Sequence, residues 1–265
     1  MPAITRRAFG VLATSSLLGT TTAVPLARAA EERAPDVVAF CDPTLRPLME
    51  SLGREWRAQS GVPVRLFVAR SDIFLEQIWR GARCDLAIIE GQTNLEAALS
   101  RKLVKPAPRL EGWRNRLVIA AYGESRPPLR LGLGSELAGI LGSAPLAVAD
   151  AALSPAGSAT RAALEALGLW QPLAGRIIGA ENTGTVAFLL ATGKAGLGVV
   201  QASDLAAEPE LKTAATFPDD VYPQIAYAVA LSQSVESEAA PRFLAFLGGS
   251  DAQVLVKAGG LEVRA

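Results

Sequence analysis

Four short segments of this chain pair small hydroxyl side chains with backbone amides that a following helix would leave free: Cys41-Asp42-Pro43-Thr44, Ala69-Arg70-Ser71, Ser154-Pro155-Ala156-Gly157 and Asn182-Thr183-Gly184. Such groups donate hydrogen bonds without carrying charge, and several aimed at one point make a receptor for an oxyanion. Taken singly, each segment is an ordinary helix cap, because Ser, Thr, Asp and Asn favour that position in any protein. Convergence is what would separate a site from four caps. The chain has no histidine, so Ser-His-Asp and Cys-His catalysis and imidazole-bound zinc are excluded. A general base would have to be Asp, Glu, Lys or Tyr. None of the five lysines (Lys102, Lys105, Lys194, Lys212, Lys257) follows an expected strand at the expected cleft.

The elements that would position these segments follow from periodicity. Apolar runs at 37–41, 62–68 and 86–89 read as strands, and helical patterns fill 45–59, 72–79 and 94–100. Leu48, Met49, Leu52 and Trp56 lie on one face at helical spacing. A second series places strands at 146–149, 176–179 and 196–200 and helices at 159–167 and 185–192. Closing helices are expected at 241–247 and 252–259. This alternation predicts an α/β protein of two lobes, each a mostly parallel sheet with helices on both faces. The last helices have no sheet of their own nearby, so the chain must return to the first lobe. The expected hinge is two crossover strands, Leu117–Tyr122 and Gln224–Leu231, with lobe 1 over 36–118 and 226–265 and lobe 2 over 119–225. Ligands of such folds lie beyond the carboxyl ends of strands, which is where all four segments fall.

The chain has 265 residues with 26 basic and 26 acidic side chains, so it carries no basic field for nucleic acid. Arg6-Arg7, a weakly apolar stretch from Val11 to Leu26 and Ala27-Arg28-Ala29 read as a twin-arginine export signal over 1–29. Gly19 and Pro25 interrupt that stretch, and it is shorter than the roughly 20 residues a membrane span needs. Cleavage would leave a soluble periplasmic protein with three more acidic than basic groups. In that oxidising compartment Cys41 and Cys84 must be considered as a disulfide. As members of neighbouring parallel strands they would sit at opposite ends of the sheet, about 10 Å or more apart, and stay free and buried.

Specific stretches also carry a resemblance. Gln77-Ile78 with Gly81, Cys84-Asp85-Leu86, Asn115-Arg116-Leu117-Val118, Pro155-Ala156-Gly157 leading into Ala163 through Trp170, Ala180-Glu181-Asn182, and Gly198 through Asp204 occur in sequence; Ala226 through Ala230 and Phe243 through Leu247 follow. In order and spacing the chain, from Val37 to Leu261, resembles the periplasmic molybdate-binding proteins of ABC importers. The resemblance implies a type II periplasmic solute-binding fold, a monomer, that holds a tetrahedral oxyanion and hands it to a permease in the inner membrane. It implies ligand contacts from Thr44 and Ser71 hydroxyls and from the Ala156 and Thr183 amides, with no catalytic residue, metal or cofactor. The family's ligand-contacting tyrosine falls on Gln201, whose amide N–H₂ could replace the phenol but whose oxygen would oppose an anion. Further departures stand at the expected pocket rim. Cys41, Asp42 and Pro43 replace small residues, Asp72 follows Ser71, Arg70 precedes it, and Glu90 ends the third strand.

Carboxylates beside a dianion repel it, at about 3 kcal/mol per pair for 5 Å and an effective dielectric near 20. Either Arg46 and Arg70 neutralise them or they point away, or the cleft has changed ligand. In the last case Cys41, Asp42, Asp72 and Glu90 form a soft-and-hard set for a metal, another cation or an organic solute, for uptake or for sensing.

Overall fold

The structure is a computed structural model describing residues 36–123, 129–133 and 137–263; the expected export signal and the Pro127-Pro128 loop lie outside those residues. In chain order the strands are β1 (Val37–Cys41), β2 (Val64–Val68), β3 (Leu86–Glu90), β4 (Val104–Asn115), β5 (Leu117–Tyr122), β6 (Leu129–Arg130), β7 (Leu146–Ala149), β8 (Ile177–Ala180), β9 (Leu197–Gln201), β10 (Leu211–Thr216), β11 (Ile225–Ser232) and β12 (Glu262–Val263). The helices are α1 (Arg46–Ser60), α2 (Ser71–Trp79), α3 (Gln92–Ser100), α4 (Leu137–Leu141), α5 (Pro155–Ala166), α6 (Trp170–Leu173), α7 (Thr183–Ala191), α8 (Ala202–Ala207), α9 (Ala240–Leu247) and α10 (Ser250–Ala258). Among the described residues no helix is long and apolar enough to cross a membrane.

The strands form two six-stranded sheets, in the orders β12-β4-β11-β3-β1-β2 and β6-β10-β5-β9-β7-β8. Every residue of β3 is buried, so its sequence Leu86-Ala87-Ile88-Ile89 is continuously apolar, as a central strand covered on both faces requires. Each of those branched side chains contributes about 2 kcal/mol on burial. Helix α1 lays Leu48, Met49, Leu52 and Trp56 against this core and ends at Gly61, whose φ of 74° closes the last turn onto Arg57 O. Asp85, fully buried, accepts from Val38 N and from the amides of Glu236 and Ser237, fastening the segment after β11 to the first sheet.

Both sheets are mixed: three of the five pairings in the second are parallel, against two of five in the first. β1 pairs in parallel with β2 and β3, but β11 runs antiparallel between β3 and β4. In the other sheet β5 runs antiparallel between β9 and β10. The reason is geometric: β4 leaves its sheet at the carboxyl edge, so β5 must arrive at the carboxyl edge of the next one and run against it. β11 repeats this on the way back. The crossings therefore fall between strands, at the single residue Arg116 and in 217–224, and not within the two strands expected to cross.

β4 and β10 lie where no strand was expected. Pro106, Pro108 and Gly112 break the alternation of β4, and its middle is largely exposed; pairing with β11 through two register shifts holds it. Cys41 and Cys84 are free and buried. In register, Cys41 stands beside Ile88, four residues beyond Cys84.

Candidate functional site

Parallel strands of both sheets end on one cavity of about 420 Å³. Thr44, Ser71, Ala156, Thr183 and Gln201 all line it, together with Asp42, Arg70, Asp72 and Glu90. Cys41 does not. Its side chain is fully buried in the main core, where burial pushes the thiol up to about 12, so it is no rim residue and no ready thiolate. Gly91 brings the two sides together: it sits at φ 82°, and a Cβ there would stand 3.1 Å from the ring of Pro155. A side chain at this position would be strained and would also push the walls apart.

One wall consists of open donors. Helix α5 begins in Pro155-Ala156-Gly157, and the Ser154 hydroxyl accepts the Gly157 amide, which leaves Ala156 N–H as a first-turn donor without an intrahelical acceptor. Gly157 is required because an added Cβ would come within 2.2 Å of Asp150 O. At α7 the cap is Asn182, which accepts from Thr185 N. Thr183, at the first helical position, is relieved of capping. Its hydroxyl is buried and has no hydrogen-bond partner among the described residues, although it lies near enough to the Asp204 carboxyl to favour that group's ionised form. Ser71 opens α2. It accepts from Glu90 N at 2.9 Å, so its own proton remains available to donate. Three helices of nine residues or more thus present the positive ends of their dipoles to one space.

A second, acidic wall adjoins the first, Ser71 touching Glu90 N and Thr183 lying near Asp204, and its groups are bonded mainly to one another. Asp42 caps the 3-10 turn at 43–45, and its Oδ1 accepts both the Thr44 amide (3.2 Å) and the Thr44 hydroxyl (3.0 Å). The Asp42 and Glu90 carboxyls are both buried, line the same cavity and act on each other's ionisation. Burial raises both groups, Glu90 well above the usual carboxylate range, and the Asp42 charge adds to that rise. Gln201 lines the cavity with its amide partly engaged. Its Nε2 donates to Glu90 Oε1 at 3.2 Å, while its Oε1 accepts from Tyr227 OH (2.8 Å) and from Asn115 Nδ2 (2.5 Å). One of the two N–H donors expected to replace a phenol is thus engaged by a carboxyl. Behind it, Tyr227 OH reaches Thr44 Oγ1 at 3.4 Å, and Asn115 also donates to Ser203 Oγ. Asp204 accepts Gln201 N, and burial lifts its pKa to about 6.

At the mouth, Arg70 donates to both oxygens of Asp72 and reaches Glu181 of the opposite side at 3.4 Å. These bonds hold Asp72 below the usual carboxylate range and turn its charge onto the guanidinium. Arg46 pairs instead with Glu50 on the outer face of α1.

Sequence reasoning missed Asn115, Asp204 and Tyr227. Asn115 stood within a quoted stretch without a role. Tyr227 sat in a long apolar run, where a tyrosine reads as core.

The profile of the family described as bacterial extracellular solute-binding protein matches residues 37–262. The chain is 28% identical over 229 residues to the molybdate-binding protein ModA of Escherichia coli, covering 86% of this chain and 89% of that one. Its fold superposes on the periplasmic molybdate-binding protein of Azotobacter vinelandii with a TM-score of 0.75 at 21% identity, over 87% of this chain and all of the other. PEB3 of Campylobacter jejuni, with L-phospholactate bound, superposes with a TM-score of 0.68 at 14% identity, over 86% of this chain and all of the other.

Proposed function

The chain belongs to the bacterial extracellular solute-binding proteins, and from that membership we propose that it captures a tetrahedral oxyanion, molybdate or tungstate, for an ABC permease of the inner membrane. The observation that carries this reading is the open-donor wall: Ser71, Ala156 and Thr183, with the amino ends of α2, α5 and α7, around one cavity. Uncharged donors fixed on rigid helix ends stabilise an anion without having to be reorganised on binding. Residues 1–29 act as the twin-arginine signal, and the mature protein works as a periplasmic monomer.

A cavity of about 420 Å³ is larger than one such ion fills. The two sheets therefore act as two lobes, hinged at Arg116 and 217–224, which close until both sets of donors reach the ligand. Capture and release require no covalent step, and we assign no catalytic residue.

Thermal-shift measurements with molybdate, tungstate, sulfate and divalent cations test the reading. A cognate ligand at 100 times its Kd adds about 2.7 kcal/mol. Molybdate or tungstate should raise the Tm, sulfate less, and cations not at all; a shift with cations alone rejects the oxyanion.

The cavity volume and the acidic wall favour a second reading, in which the solute is a small organic acid carrying an oxyanion at one end and a hydrogen-bond donor at the other. A phosphorylated hydroxy acid included in the same panel separates the two. The purely cationic alternative is weaker. Cys41 is turned into the core, and among the described residues no three acidic or cysteine side chains gather as metal ligands.

A further inference from the structure

The acidic wall occupies donors that a bound anion would need. As an ionised acceptor, Asp42 takes both the amide and the hydroxyl proton of Thr44, and Glu90 Oε1 accepts one bond from the Gln201 amide. With a single proton shared between the two carboxyls, these residues offer an oxyanion one negative charge while the Thr44 hydroxyl stays tied to Asp42. We propose that the Asp42–Glu90 pair is a proton site linked to the ligand site, so that the protein captures its oxyanion together with one proton from solvent.

A second proton removes the repulsion. It also turns Asp42 from an acceptor into a donor and releases the Thr44 hydroxyl toward the cavity. At about 5 Å and an effective dielectric near 20, one carboxylate opposite one ligand charge is worth about two powers of ten in affinity. The pair has few means of staying doubly ionised. Glu90 is fully buried and Asp42 nearly so. The facing groups from other elements are the cation Arg70, already engaged by Asp72 and Glu181, the acid Asp204 on α8, Tyr227 on β11, and Cys41 on β1. Arg70 favours the ionised form of Asp42, while Asp204 and the pair itself oppose further charge. Anion binding adds negative potential to this same space and draws the proton in.

This inference rests on the oxyanion reading above. Isothermal titration of the full chain with molybdate, from pH 6 to 9 in two buffers of different ionisation enthalpy, tests it. The expected result is uptake of about one proton per anion at the alkaline end, with Kd rising about tenfold per pH unit there. The double variant Asp42→Asn/Glu90→Gln, which keeps the hydrogen-bonding shapes without titrating, should bind with a flat pH profile and no buffer-dependent heat. Equal heats in both buffers with a constant Kd in the unmodified protein overturn the proton linkage and leave the oxyanion reading standing. Absence of binding by molybdate, tungstate and sulfate, to both proteins at every pH, overturns the oxyanion reading itself.

Discussion

The two walls of the cavity are built from the same kind of strand-to-helix turn and behave in opposite ways. At α5 and α7 the residue before the helix does the capping, and the next polar group is left with nothing to bind. After β1 a carboxylate does the capping, and it takes the neighbouring hydroxyl as well. Asn182 also takes a hydroxyl, that of Thr185 at 3.3 Å, so the difference lies in charge and in which hydroxyl is engaged. A buried carboxylate holds the cavity-lining Thr44, whereas the neutral cap leaves the cavity-lining Thr183 unbound. A turn that looks like a binding element in sequence can thus be either a receptor or a closed circuit.

Placing a carboxylate in the open wall should destroy the contrast and have the largest effect. Thr183→Asp sets a charge against the ligand at about 3 kcal/mol per unit of ligand charge, so molybdate affinity falls by a hundredfold or more in titration calorimetry. An unchanged Kd would mean that the ligand does not sit against this wall.

A second experiment isolates the acid behind the other wall. The carboxyl of Asp204 moves from an ordinary 3.8 to about 6 on folding. A raised acid adds stability that is complete below its unfolded pKa and is lost as pH climbs through the folded one. The unmodified protein should therefore lose about 2 kcal/mol relative to Asp204→Asn between pH 4 and 6, measured by urea unfolding of both. A constant gap between the two curves would place water beside Asp204.

The smallest effect belongs to the mouth. Arg70 bridges Asp72 and Glu181 in a partly exposed setting, and Arg70→Met should change stability by under about 1 kcal/mol. It should also lower the association rate for molybdate at low salt, because it exposes two carboxylates, and the loss should fade as salt is raised. Stopped-flow titration at two ionic strengths measures both.

Much of this was legible in the residues. The alternation of apolar runs with helical faces placed nearly every element of the first ninety positions, and residue type alone located the turns that line the cavity. Periodicity could not find β4, because its prolines and charges are tolerated only through pairing with β11. It could not find the reversed strands either, since strand direction is set by where the chain enters a sheet. The role of Gln201 was beyond reach for another reason: the carboxyl that takes its amide is 111 residues away in sequence. Side-chain direction across such a distance is settled by folding, not by composition.

The first crossing has a mechanical consequence. Asn115 stands immediately before Arg116, and its side chain grips Gln201 and Ser203 of the other sheet. On the proposed hinge at Arg116, these bonds would couple any rotation there to the residues that line the pocket. A fluorophore attached at the exposed Arg116 would act as a gauge of occupancy without touching the solute.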